Sequence, residues 1–206
     1  MRPSRIPIFP LDIVLFPSMP LPLHIFEPRY KTMINRCVSE RLEFGLVFAQ
    51  SRAIATVGCT AEITRTLKKY PDGRMDILTE GRAAFRIVEI VTEKEYYEAV
   101  VDYLPEDVTP QDPKKEFELT EGFQHCHLLL FGHQWPGGDK NDPTPLAYRI
   151  GARLPLDLRQ RQILLEMRSE SERREFLSRY AAELLPKLAH RQIARQCAGG
   201  NGHGVH

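Results

Sequence analysis

Residues 6–33, IPIFPLDIVLFPSMPLPLHIFEPRYKTM, decide the fold. Seven prolines, Pro3 to Pro28, fall within the first 30 residues, in a stretch that is otherwise strongly apolar. Proline withdraws a backbone donor and collides with the preceding helical turn, which excludes a helix. The same missing donor excludes the middle of a sheet. Short edge strands between fixed bends remain, over 6–9, 14–16 and 21–25. The run stops at Glu27-Pro28-Arg29-Tyr30, where Pro28 suits the first turn of a helix.

Outward from that stretch, 28–38 reads as a helix, with Tyr30, Met33, Ile34, Cys37 and Val38 at helical spacing. FGLVFA at 44–49 has strand length and strand composition, and 58–67 alternates, with Cys59, Ala61, Ile63, Arg65 and Leu67 on one side. Pro71-Asp72-Gly73 is a turn in which proline presets its φ and glycine accepts a positive one. Met75, Ile77 and Leu78 return the chain, Gly81 marks a further turn or bulge, 85–91 continues the sheet and 96–103 closes it. Residues 1–104 are therefore expected to form about eight short strands around one helix, as a small twisted barrel. Prolines and acids at 104–113 mark a linker, beyond which the apolar period changes from two to 3.6. Phe117, Phe123, His127, Leu130 and Phe131 predict a helix ending near Gly132, and a short helix covers 146–154. Asp157 is the expected N-cap of a helix burying Ile163, Leu164 and Met167. Ser169 and Glu172 form a capping box that opens a helix through Phe176, Leu177, Tyr180, Leu184 and Leu188. The Gly-rich tail, 198–206, is expected to be disordered.

Five motif blocks of this chain, the opening stretch and four beyond it, resemble in order those of the Lon protease N-terminal (substrate-binding) domain, especially its stand-alone bacterial form. FPLDIVLFPSMPLPLHIFEPRYKTMI is similar to the opening of that domain; Val57-Gly58 through Ile63 is similar to its VGTVAEI strand. Pro71-Asp72-Gly73-Arg74 matches its hairpin, and Glu80-Gly81-Arg82 through Phe85-Arg86-Ile87 its following strand. LPLDLRQRQILLE at 154–166 with Ser171-Glu172-Arg173 resembles its helical half, so the likeness runs from 6 to about 188. It implies an α+β fold: a PUA-like β-barrel subdomain at 1–104 followed by a C-terminal helical bundle at 113–190. In full-length Lon this region contacts unfolded or degron-bearing proteins and helps assemble the oligomer. Neither a GxxxxGK[ST] phosphate loop nor a Ser/Lys peptidase segment occurs within the 206 residues.

Composition narrows the function classes. Residues 1–105 carry 14 Lys/Arg against 13 Asp/Glu and residues 106–206 carry 14 against 14, so neither half offers the basic surface that phosphate backbones need. Cys37, Cys59, Cys126 and Cys197 form no CxxC pair and read as reduced thiols of a cytoplasmic protein. No apolar run approaches the roughly 20 residues that span a bilayer.

Individual residues argue for recognition rather than chemistry. GHQWPGGDKN at 132–141 fails as a phosphate loop: Gly138 stands where lysine should follow Gly137, and Asn141 follows Lys140 in place of a metal-binding hydroxyl. His125 and His127 point about 200° apart on a helix and cannot share an ion, and His203 and His206 are incidental. No base and orienting partner is apparent for Cys126 or any serine. Glu27, Arg29 and Tyr30 read as helix architecture and His24 as a satisfied core histidine. Trp135 either pins its loop or presents a binding aromatic, and burial statistics favour the anchor. The apolar, proline-rich segment 16–23 must lie partly at the surface, and methionine suits varied apolar partners; plugging the barrel is favoured for any one of its residues, binding for the patch as a whole. The peptide-binding candidates are Phe16, Met19, Leu21 and Trp135; no catalytic, cofactor or metal residue is assigned, and neither ATP nor metal is implied. The expected function is non-catalytic recognition of unfolded or degron-bearing segments, in the crease between modules or along an edge strand. A separate ATP-dependent protease and a weak homo-oligomer are the remaining partners; nucleic acid and membrane are not expected. The competing classes are an RNA-binding PUA-like module and a small-molecule enzyme in the crease.

Overall fold

The computed structural model describes residues 2–50, 53–105, 112–136 and 144–200. Six strands, β1 (Arg5–Leu11), β2 (Pro20–Ile25), β3 (Phe44–Gln50), β4 (Ala53–Lys69), β5 (Met75–Val91) and β6 (Glu98–Tyr103), form a mixed sheet in the order β2-β5-β4-β3-β1-β6. Helix α1 (Pro28–Glu40) lies between β2 and β3 in the chain, and only β1 and β3 pair in parallel. Strand β6 pairs with β5 as well as β1, so the pairings β5-β4-β3-β1-β6 run in a cycle with β2 outside it. The fold class is α+β.

The eight short strands expected are six, because β4 and β5 are each 17 residues long and bend instead of breaking. At Gly81 the register moves two residues along β4 and three along β5, from Cys59↔Ala84 to Ala61↔Gly81, a bulge within a continuous strand. The first part of β5 pairs with β2 and the second with β6. The Pro71-Asp72-Gly73 turn is as read: Gly73 takes φ +82° and its N–H donates to the Tyr70 carbonyl at 3.0 Å.

Residues 14–16, expected as a strand, form a buried loop in which Val14, Leu15 and Phe16 are at most 1% exposed. Pro17 cannot donate to a ladder, and the segment docks on the Gly81 bulge instead: Ser18 N–H donates to the Gly81 carbonyl (2.8 Å) and Gly81 N–H to the Met19 carbonyl (3.0 Å). A Cβ at position 81 would stand 2.1 Å from the Phe16 oxygen, so only glycine permits this approach.

Helix α1 begins with Pro28 at its first turn and buries Tyr30, Met33, Ile34 and Cys37. Val38, expected on that face, is exposed. The Tyr30 ring lies 4.1 Å from Phe9. Glu27 flanks the helix without capping it and instead receives Arg29 Nε at 3.0 Å. The core of the strand unit gathers Ile6, Ile8, Val47, Phe85, Ala99 and Val101.

The chain divides into two compact units, 1–106 with 156–168, and 107–155 with 169–206. Helix α4 (Leu158–Glu166), read from sequence with the helical half, therefore belongs with the strands. Its capping box forms, with Gln160 N–H donating to Asp157 Oδ1 (2.7 Å) and Asp157 N–H to Gln160 Oε1 (3.0 Å). Gln162, Leu164 and Leu165 are buried and Ile163 is exposed. Gln162 ties the helix to the sheet by donating to the Val57 carbonyl at 3.1 Å.

The second unit contains α2 (Pro113–Phe131), α3 (Leu146–Gly151) and α5 (Glu170–Gly200). Helix α2 buries Leu119, Phe123, Cys126 and His127, while Phe117 and Phe131, expected on its inner face, are 65% and 53% exposed. The core instead accepts Arg173, 1% exposed, which ion-pairs with Glu170 (3.1 Å) and lies 4.4 Å over the Tyr148 ring. Of the tail expected to be disordered, 198–200 continue α5 and 201–206 lie outside the described residues.

Candidate peptide-binding site

An apolar pocket of about 150 Å³ opens in the strand unit, lined by Ile8, Ile54, Ile87, Ile90 and Tyr97. Ile8, on β1, is its buried floor and part of the core, and Ile87 packs against that core. Ile54 from the start of β4, Ile90 near the end of β5 and Tyr97 just before β6 form an exposed rim. Strict alternation would put Ile87 and Ile90 on opposite faces of β5. Between Ile87↔Val101 and Glu89↔Val100 the register advances two residues on β5 and one on β6, so an extra residue at Val88 re-phases the strand. That bulge brings both isoleucines to the pocket. Ile8 N–H donates to the Tyr97 carbonyl at 2.8 Å and fixes the rim to the floor.

Behind Tyr97 stands a charged node. Glu98, 4% exposed, accepts from Arg5 Nε (2.9 Å), Arg36 Nη1 (2.7 Å) and Lys94 Nζ (2.8 Å). Burial by itself raises the carboxyl pKa; the hydrogen bonds from Lys94, Arg5 and Arg36 outweigh it and bring the pKa down to about 2. The node clamps β1, α1 and the β5–β6 connection together. It leaves Tyr96 buried, with its hydroxyl accepting from Arg36 at 3.2 Å, and Tyr97 facing outward.

Four isoleucines and a tyrosine line this pocket with apolar surface and bring no paired acid and base into it. Strand addition is poorly served at the two open edges of the described sheet. Strand β2 carries Pro20 and Pro22, which cannot donate to a further strand. Beyond Ala61, β4 pairs only with β5, and its open side is interrupted by register shifts at Ile63/Arg65 and Thr66/Lys68 and studded with Arg65, Lys68 and Lys69.

The residues singled out from sequence are not brought together. Phe16 is fully buried, Leu21 is 8% exposed with its carbonyl bound by the Thr79 hydroxyl at 2.8 Å, and Trp135 is 6% exposed. Met19 alone among the four offers surface, being half-buried. Trp135 anchors the segment after α2: its backbone N–H and carbonyl both bond the Gln124 side chain at 2.9 Å, and its ring meets Phe123 edge-on at 5.0 Å. His24 is not a core residue but an exposed one, paired with Asp76, whose second oxygen accepts from Tyr70 at 2.9 Å; these two hydrogen bonds hold the Asp76 carboxyl below its ordinary range. His127 Nδ1 lies 2.9 Å from the His133 carbonyl oxygen, and Cys126 is buried, its thiol pushed up to about 11 by burial. Gly137, Gly138, Lys140, Asn141, His203 and His206 lie outside the described residues. The pocket residues were missed because 85–91 reads as one continuous run. Its departure from alternation at Ile87-Val88-Glu89-Ile90 was the one local signal of a bulge.

A bulged mixed sheet with an apolar side-chain pocket is followed in the chain by a helical unit. The family profile of the ATP-dependent protease La (LON) substrate-binding domain matches residues 5–182, and the chain belongs to that family. It is 30% identical over 201 residues to Lon protease of Escherichia coli K12, covering 86% of this chain and 25% of that protein. With Lon protease 2 of Syntrophobacter fumaroxidans it shares 27% identity over 203 residues, covering 90% of this chain and 25% of that one. The chain thus spans about a quarter of the length of these relatives. The fold is that of the Lon N-terminal domain protein from Xanthomonas campestris (TM-score 0.65, 24% identity, 84% of this chain and 96% of the other). The N-terminal domain of Mycobacterium avium complex Lon protease is similar (TM-score 0.64, 16% identity, 86% and 98%). This is a substrate-recognition domain of the Lon type, and among the described residues no helix is long and apolar enough to cross a membrane.

Proposed function

We propose that the chain recognises unfolded or degron-bearing polypeptides in the cytoplasm without catalysing a reaction, and that the Ile8/Ile54/Ile87/Ile90/Tyr97 pocket is where it takes hold of them. The observation that carries this reading is the pocket itself. It is apolar, open at a rim of exposed isoleucines, and about 150 Å³ in volume. A dry apolar cavity of about that size holds a benzene-sized guest, so one leucine, isoleucine or phenylalanine side chain of an extended segment fits. Burying such a side chain contributes about 1.5–3 kcal/mol. A single insertion is therefore weak and tolerant of sequence, which suits a surface that must accept many clients and reject folded ones, whose apolar side chains are already buried. The family supports a protein ligand; delivery to a separate ATP-dependent protease is the natural consequence of such binding.

The test is binding of a reduced, alkylated and hence permanently unfolded model protein, compared with its native form. Ile90 is 47% exposed, so Ile90→Arg places a charge at the mouth without touching the core. The unfolded form is expected to bind, the native form not, and Ile90→Arg to weaken binding by about tenfold or more. Unchanged binding by Ile90→Arg would remove the pocket from the reading.

A further inference from the structure

Helix α4 carries a half-buried cation with no counter-ion among the described residues. Arg161 donates from Nε to the Leu156 carbonyl at 3.3 Å, sets Nη1 3.9 Å from Met19 Sδ, and lies 5.7 Å from the Phe16 ring centroid. A carbonyl, a thioether and a ring neutralise nothing. Among the described residues no carboxylate pairs with it, whereas Arg5, Arg36, Arg74 and Arg82 of the same unit each meet an Asp or Glu at 2.6–2.7 Å. Loss of water around the guanidinium on burial lowers its pKa from the ordinary arginine value. A desolvated charge is costly until an anion meets it. The planar fork of arginine matches a carboxylate in particular.

We propose that Arg161 receives one carboxylate, that of the C-terminal residue of a bound polypeptide, with the side chain of that residue resting on Met19. The inference rests on the reading of the chain as a polypeptide-recognition module, and it adds a second subsite to it. A lone cation balances a singly charged anion, which favours a carboxylate over a phosphate dianion. The apolar surroundings favour a chain terminus over an internal Asp or Glu. At a terminus the carboxylate and an apolar side chain leave the same carbon, so both can be satisfied within the few ångströms that separate the guanidinium from the thioether.

The experiment is fluorescence anisotropy with a labelled hexapeptide ending in leucine, prepared as the free acid and as the C-terminal amide. The acid is expected to bind about tenfold or more tightly than the amide, the scale of a charge-assisted hydrogen bond. Arg161→Gln should bring the acid down to the amide, and Arg161→Lys should retain part of the difference. Equal binding of the two peptides by the unsubstituted protein, or binding of neither, overturns the proposal even if a variant fails to fold. Competition by N-acetyl-leucine as effective as by the acid peptide would assign the site to small carboxylates and overturn the polypeptide source. Equal peptide affinities together with an Ile90→Arg defect toward unfolded protein would remove this subsite and leave the pocket reading standing.

Discussion

Replacing Glu98 by glutamine removes one negative charge from a node where three cations converge, and its cost can be worked from the geometry. The Glu98 carboxyl pKa falls from 4.5 to about 2 in the folded protein. A shift of that size corresponds to about 3 kcal/mol at neutral pH. That figure is an upper estimate, because the partners Arg5, Arg36 and Lys94 keep 34–42% of their side-chain surface in water. The folded pKa is the depressed one, so the stabilisation is fully present above pH 4.5 and fades as the pH falls toward about 2. Urea unfolding of the natural protein and Glu98→Gln, followed by circular dichroism at pH 7, 5, 4, 3 and about 2, measures the difference directly. The gap should be about 2–3 kcal/mol at pH 7 and should close steadily below pH 4.5. A gap that stays constant down to the lowest pH would refute the electrostatic account and make Glu98 a packing residue.

Gly81→Ala places a methyl group 2.1 Å from the Phe16 oxygen and must push the 16–19 segment off its bulge. A loss of about 2–4 kcal/mol is expected, read as a lower midpoint in urea, and an unchanged midpoint would mean that the segment docks elsewhere. Cys37 and Cys126, whose thiols burial raises to about 12 and about 11, should not react with a disulfide reagent at pH 8 in the folded state and should react promptly in denaturant. Rapid labelling of either without denaturant would show that its cover opens readily.

Much of the scaffold was legible because local chemistry forces it. Pro28 suits the first turn of a helix, Asp157 and Gln160 cap one another, and Gly73 supplies the positive φ its turn requires. Each of these depends on a few neighbouring residues. The candidate site was not legible, and the four residues proposed from sequence illustrate why. Phe16 and Leu21 lie in a proline-rich segment read as partly exposed, yet each is buried by elements distant in the chain, the Gly81 bulge with α4 and the facing strand β5. Trp135, for which an anchoring role is favoured over a binding one, is held by the neighbouring helix α2. Apolar character announces burial and binding equally, and only the partner tells them apart.

Helix α2 makes the same point. Periodicity placed Phe117 and Phe131 inside, yet they are exposed, while Arg173 lies in the interior because Glu170 and Tyr148 are there to satisfy it. From the sequence alone came the family likeness, the α+β class, the proline-blunted edge and most element starts, since these follow from steric rules acting over a few residues. The tertiary structure alone decided that an extra residue at Val88 turns Ile87 and Ile90 to one side. It alone decided that Ile8, Ile54 and Tyr97 meet them there, and that α4 joins the strands and sets Arg161 beside Met19. Those outcomes depend on which distant surfaces pack together and on the register in which they do so, and register is a property of paired strands that neither strand carries by itself.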